Sequence, residues 1–378
     1  MGGLSALVAY PLAALVLGPR VLALTGDESG PTLWRTWQPY TELQRRGYGA
    51  WFRHKDDPEM DAPEWPYLAA TRLEAIVIPR FYWRDHVSSR RWVNTLHKAG
   101  LAVIYDLDDD VLTPQIGARQ HATTEKDKSL AELEQDRRDR IAAIRLCDGV
   151  TTSNPELARV IRQYVDAPVL VVPNRCDDSW FRRMVHGVRR QVEPLTIGWA
   201  GGSRYDEDLE PLAAAWHNVA RQRPDVKFVV QGHLTPLLTG AVPVDQVVQI
   251  PWSSVAEYPR GMKNIDIGCA SVADNHFNRC KTPIKLFEFT LAGAVSVVSP
   301  TLYGPAVQPG VDALIAETAT EWEAALIRLV DDAELRKRLW RAQRRRVATE
   351  HSLRNHVLDW PRAWTTILEH FRARQQAA

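Results

Sequence analysis

Four stretches carry side chains suited to chemistry. LAVIYDLDDDVL (Leu101–Leu112) sets four carboxylates, Asp106, Asp108, Asp109 and Asp110, directly behind an apolar run. Adjacent like charges repel and shift one another's pKa, so the cluster calls for a use. The residue types fit a magnesium or manganese site, a phosphatase nucleophile, or a carboxylate that orients an acceptor hydroxyl or takes its proton. Asp106, Asp108 and Asp109 are the candidates for that chemistry, and N-capping by Asp109 or Asp110 is the structural alternative. IGWAGGSRYDEDL offers Gly201, Gly202 and Ser203 where a strand ends and a helix begins, a place whose backbone N–H groups bind anions. Arg204 follows, able to add a charge-assisted pair to a phosphate. In KTPIKLFEFTLAG, Lys285 lies one helical turn before Glu288, so both can face one ligand or merely pair on a helix surface. PRFYWRDH places Phe81, Tyr82 and Trp83 between Arg80 and Arg84, rings that either stack on a sugar or base with cationic help or pack in the core.

The elements that must position these groups alternate. PRVLALTGD, EAIVIPR, LAVIYDLDD, CDGVTTSN and APVLVVPN read as strands, the first ending in the GDESG turn. TLWRTWQPYTELQRRGY, SSRRWVNTLHKAG, EKDKSLAELEQDRRDRIAAI and PELARVIRQY read as the helices between them. The second half restarts the pattern with strands LTIGWAGG, VKFVVQGH, VDQVVQIPW, IDIGCAS and AVSVVSP, and an Arg-rich helical tail from Glu321 to about Arg374. Such alternation predicts α/β architecture: two Rossmann-like domains with parallel sheets facing a central cleft, ligands sitting at the carboxyl ends of the strands. The expected domains are 1–178 and 195–350, joined by a polar link at 179–194, with 351–378 forming a C-terminal helix that packs back toward the first domain.

The chain has 378 residues, enough for two cores, and a net charge of +1, which gives no global drive toward nucleic acid or anionic lipid. Cys147, Cys176, Cys269 and Cys280 form no CxxC or zinc-type spacing and fit free thiols in a reducing cytoplasm. The apolar segment Leu4–Gly18 lacks a basic n-region, contains Pro11 and is too short to span a bilayer, so a buried or membrane-touching role is expected of it.

Read in order, VLVVPNRCDDSWF, IGWAGGSRYDEDL, KTPIKLFEFTLAGAVSVVSP and PGVDALIAETATEWEAALIRLVDDAELRKRL resemble the successive motifs of GT-B glycosyltransferases, close to the large retaining family four. The resemblance covers Thr151 to about Val347 and, more loosely, the first domain. It implies transfer of a hexosyl or related unit from a nucleotide diphosphate sugar, with UDP as the expected nucleotide and retention as the expected stereochemistry. By the resemblance Glu288 holds the ribose hydroxyls and Lys285 the diphosphate. Many members carry a second Glu eight residues earlier; here that position is Cys280, so the partner of the donor sugar is either missing or relocated, to Asp274 or Asn278. Arg279 and Lys281 either add positive charge near the leaving phosphate or face solvent as loop cations. No cofactor is required, since the nucleotide sugar is a substrate, and a divalent metal is not expected because cations and backbone dipoles serve this fold class.

Arg80, Tyr82, Trp83 and Arg84 are the expected acceptor contacts. Two acceptors remain open: a glycan or lipid-linked sugar, and a hydroxymethylated base in DNA, which the Arg336–Arg346 helix would favour if it shares a face with the other basic stretches. The competing readings are a non-catalytic nucleotide-sugar binding protein and a haloacid-dehalogenase-type phosphatase, whose DxDx(T/V) loop Asp106–Val111 satisfies literally but on a later strand than that family uses. A cytoplasmic protein, at most peripheral to a membrane, is expected; the sequence does not address its oligomeric state.

Overall fold

The computed structural model describes residues 16–25, 30–54, 72–79, 86–113, 129–187, 194–202, 206–233 and 235–377. The chain divides into two units, Met1–Pro173 with His356–Ala378, and Asn174–Asn355.

In the first unit, six runs form strands: β1 (Leu17–Thr25), β2 (Tyr48–His54), β3 (Ala75–Pro79), β4 (Ala102–Leu107), β5 (Gly149–Thr152) and β6 (Val169–Val171). They pair in parallel in the order β2-β1-β3-β4-β5-β6. Every residue of β4 is buried, the pattern of a strand covered on both faces and the reason its sequence shows no alternation. β2 was not expected. Its sequence, YGAWFRH, carries a glycine in second position and ends on two basic residues, and it survives as a strand because it lies at the sheet edge. The first helical stretch opens with a turn at Gly30–Thr32, passes through a π-helical segment at Leu33–Trp37 and ends as an α-helix at Gln38–Arg45. The helix Leu130–Ile144 starts at a capping box formed by Ser129 and Glu132. The last helix, Asp359–Ala377, belongs to this unit, where Trp360 and Trp364 stand 6.1 and 5.2 Å from the ring of buried Tyr40.

In the second unit the strands are β7 (Thr196–Gly201), β8 (Lys227–Gly232), β9 (Val247–Pro251), β10 (Ile267–Ala270), β11 (Val295–Val298) and β12 (Leu314–Ile315). Their order is β12-β11-β10-β7-β8-β9, again parallel. The winding reverses between β7 and β10, and in open sheets of this kind the crevice beyond the carboxyl ends of those two strands receives ligands.

The stretch expected to be a link is in part a helix. Asp177 accepts from the backbone N–H groups of Ser179 and Trp180, starting Asp178–Val185, and Phe181 is buried beneath it. Of the apolar N-terminal stretch, residues 1–15 lie outside the described residues. Among the described residues no helix is long and apolar enough to cross a membrane. All four cysteines are buried and none is in a disulfide.

One feature of the second unit gives a pH signature. His351 packs 4.8 Å from the ring of Phe287 and receives the Arg175 guanidinium at 3.3 Å on Nδ1. Burial first, and then the Arg175 charge, pull its pKa from 6.5 down to about 4. Between those values the unfolded chain holds a proton on this imidazole that the folded chain refuses, so stability falls as pH drops through that window and levels off below it. Melting temperatures measured from pH 7 to pH 4 should show this slope, and His351→Phe, which keeps a ring against Phe287, should flatten its share of it.

Candidate functional site

The carboxyl end of β7 closes tightly on that of β8. Gly232 has φ +118°, and a Cβ there would lie 2.0 Å from the carbonyl oxygen of Gly201, so no side chain fits. The chain beyond these strands is lined with rings. His233 stacks on Trp252 with centroids 4.6 Å apart and planes inclined by 32°, and Trp252 stands 6.1 Å from Tyr258. A Cβ on Gly202 would meet His233 at 3.9 Å and Trp252 at 4.0 Å, which puts the glycine turn directly beside this aromatic pair. Trp252 is 54% exposed, an unusual position for so large an apolar surface.

Lys285 and Glu288 lie on the helix Ile284–Ala292, which packs against the sheet through Phe289. β10 makes room for that ring with Gly268, where a Cβ would lie 2.4 Å from Phe289 Cγ. The helix is also held from behind: Gln343 Nε2 donates to Thr290 Oγ1 and Trp340 Nε1 donates to the Thr290 carbonyl at 3.0 Å. In front of it, Asn174 Nδ2 donates to Thr282 Oγ1 at 2.9 Å.

On this anchored helix, Lys285 Nζ donates to Glu288 Oε2 and to the Tyr258 hydroxyl, each at 2.7 Å, and sits 4.5 Å from the Tyr258 ring centroid. Their side chains are 19% and 11% exposed, so this is a sheltered pair rather than a helix-surface one. Burial works against the ammonium charge, but Glu288 and then Tyr258 outweigh it and hold the Lys285 pKa above the ordinary lysine range. The lysine therefore keeps its charge at neutral pH.

The segment after β10 is built on Asp208, a buried carboxylate at the start of the helix Asp206–Gln222. Its Oδ1 accepts from Ala273 N at 2.8 Å and from Asn278 Nδ2 at 2.7 Å. Asn278 is buried, with Nδ2 also donating to the Ala273 carbonyl and Oδ1 without a partner among the described residues. Asp274 is engaged by Arg279 through contacts at 2.9 and 2.8 Å on an exposed surface. Lys281 Nζ stands 4.3 Å from the Phe277 ring centroid. Cys280 is fully buried with Sγ 3.8 Å from His276 Nε2, so the residue that stands where a glutamate was expected faces the interior.

The acidic cluster of the first unit separates into two kinds of carboxylate. Asp106 is 6% exposed and takes Arg35 Nε on Oδ1 at 2.9 Å and Nη2 on Oδ2 at 2.7 Å, while Thr151 also donates to Oδ2. Arg35 in turn donates to the Val172 carbonyl and lies 4.5 Å from the Trp360 ring. Asp106 was expected to act chemically; with both oxygens held by a guanidinium it instead ties the ends of β4, β5 and β6 to the helical stretch and to Trp360. Asp110 is a turn-former, accepting from Leu112 N, Thr113 N and Thr113 Oγ1. Asp108 and Asp109 are the two members of the cluster that remain partly exposed. Ser203, Arg204, Arg80, Tyr82, Trp83 and Arg84 lie outside the described residues.

Three site residues had not been singled out in the sequence: His233, Trp252 and Tyr258. For His233 and Trp252 a signal was present, since QGH and IPW each place a ring immediately past a strand-forming apolar run.

Residues 211–360 match the family model described as glycosyl transferase-like. The chain is 26% identical over 204 residues to a Bacillus subtilis (strain 168) protein that carries the name teichuronic acid biosynthesis glycosyltransferase TuaH. That match takes in 50% of this chain and 48% of the relative, so the chain spans about half the length of the curated protein it matches. Among solved structures, sucrose-phosphate synthase from Thermosynechococcus elongatus superposes with a TM-score of 0.63 at 12% identity, covering 93% of this chain and 99% of that one. HepE of Anabaena, solved in complex with UDP-glucose, gives a TM-score of 0.60 at 13% identity, covering 95% and 99%. The two parallel six-stranded sheets with their helices are those of the GT-B fold.

Proposed function

We propose that the chain is a retaining glycosyltransferase of the family-four type that moves a sugar from a UDP-sugar to a hydroxyl of a glycan or lipid-linked sugar. The observation that carries this reading is the sheltered Lys285–Glu288 pair on the helix Ile284–Ala292, whose Phe289 packs on β10, one of the two strands between which the second sheet's winding reverses. A ribose diol suits the Glu288 carboxylate, which accepts two hydrogen bonds side by side. The diphosphate suits Lys285, the backbone N–H groups of the Gly201–Gly202 turn and Arg204. The His233–Trp252 pair offers a flat apolar surface of the kind on which a nucleobase stacks.

In the transfer, the acceptor oxygen bonds to the anomeric carbon as the bond from that carbon to the phosphate oxygen breaks. The acceptor's proton passes to the departing phosphate oxygen, which balances the step without a protein base. Asp108 and Asp109 orient the acceptor hydroxyl. Lys281 adds charge on the phosphate side, and Asn278, whose buried acceptor has no partner among the described residues, serves the donor sugar. The charge of the leaving diphosphate is met by cations and N–H dipoles, so turnover is expected to persist in EDTA; a rate that collapses on chelation and returns with magnesium would contradict this. The buried thiols and the cytosolic nature of nucleotide sugars fit a cytoplasmic site of action.

The test is a panel of UDP-sugars offered with glycan acceptors and, separately, with hydroxymethylated DNA. The expected result is UDP release coupled to glycan modification. Release with DNA alone would redirect the acceptor assignment, and no release in any combination would refute the activity. The acceptor class is drawn from the relative's name, which concerns teichuronic acid biosynthesis.

A further inference from the structure

Lys285 is held more closely than a charged ligand contact requires. An ammonium has three N–H donors, of which one is given to Glu288 and one to the Tyr258 hydroxyl. The Tyr258 ring packs at cation–π distance against the same nitrogen. A lysine on a four-carbon stem ordinarily samples many rotamers; with two donors fixed on groups from different elements, the third has one direction left.

The tyrosine is itself positioned from the sheet. Gln231, fully buried on β8, donates from Nε2 to the Tyr258 carbonyl at 2.7 Å. The backbone of the helix Tyr258–Met262 closes over that amide at Gly261, where a Cβ would lie 2.5 Å from Gln231 Nε2. The linkage runs from β8 through Gln231 to the Tyr258 backbone, and from the Tyr258 hydroxyl to Lys285. It connects the strand that ends beside the glycine turn to the charged pair on the helix after β10.

We infer that Tyr258 is a positioning residue for the donor diphosphate: its hydroxyl and ring aim the remaining N–H of Lys285 at the phosphate oxygens, and Gln231 sets Tyr258. This rests on the reading of Lys285 as the diphosphate contact. It makes a specific demand, because a residue acting through Lys285 must affect phosphate recognition and leave nucleoside recognition alone.

The experiment compares UDP with uridine by calorimetry on the full chain, in the parent protein, Lys285→Ala and Tyr258→Phe. Tyr258→Phe keeps the ring and its packing, and its melting temperature is measured alongside. In the parent, UDP should bind far more tightly than uridine, and Lys285→Ala should remove most of that difference. Tyr258→Phe should weaken UDP about tenfold and leave uridine unchanged. If the parent does not prefer UDP, or Lys285→Ala keeps the preference, the reading of the site fails. If Lys285→Ala behaves as expected while Tyr258→Phe leaves UDP affinity intact, or weakens UDP and uridine equally, the positioning role is overturned and the site reading stands.

Discussion

Glu288→Ala should raise the KM for the donor sugar nucleotide by about 10- to 150-fold, the range expected when hydrogen bonds to a charged acceptor are lost. The effect has two sources. The ribose hydroxyls lose a carboxylate that is 11% exposed and held in place by Lys285. Lys285 loses its only carboxylate partner among the described residues and keeps only the Tyr258 hydroxyl, so its hold on the diphosphate loosens as well. Glu288→Gln, which retains one acceptor oxygen and the side-chain volume, should lie between the parent and the alanine variant. The KM for the acceptor should be unchanged in both. Steady-state kinetics with donor and acceptor varied separately check this, and unchanged donor KM in a folded Glu288→Ala protein would remove Glu288 from the site.

A second large effect is expected within the first unit. Arg35→Met leaves Asp106 as an uncompensated buried carboxylate, and breaking one side of such a pair costs about 3–5 kcal/mol. For a unit of this size each kcal/mol moves the melting temperature by about 2–4 °C, so the first unit's transition should fall by about 6–20 °C. Arg35→Met combined with Asp106→Leu removes both charges and should recover most of the loss. Calorimetric melting of the three variants decides it. Equal losses in the single and double variants would mean that packing of the Arg35 stem against Trp360, and not the ion pair, holds this part of the sheet.

The sequence made the strands legible wherever a run of apolar residues filled a strand buried on both faces, as in AVIYDL of β4. It concealed β2, whose mixture of glycine, aromatic and basic residues suits an edge strand and lacks a period. The helix Asp178–Val185 was hidden for a related reason: one buried residue, Phe181, carries its inner face, and the charged remainder reads as a link. At the site, Lys285 and Glu288 were visible because three-residue spacing on a helix is a local property. Their shelter was not, since it comes from Tyr258, 27 positions away from Lys285 in the chain. Asp106 was misread for the same cause: its partner Arg35 lies 71 residues earlier, and nothing local separates a carboxylate that waits for a substrate from one already occupied. Asp110 was legible as a capping group, although it closes a turn at Leu112 and Thr113 and not a helix.

The placement of the donor in the second unit is tested most directly by hydrogen exchange on the full chain with and without UDP. Protection should appear in peptides covering Gly201–Gly202, Trp252–Tyr258 and Ile284–Glu288, and the Glu288→Ala protein should lose it at the same UDP concentration. Protection confined to the segment around Asp106–Thr113, or absent at saturating UDP, would contradict a donor site built on Lys285 and Glu288.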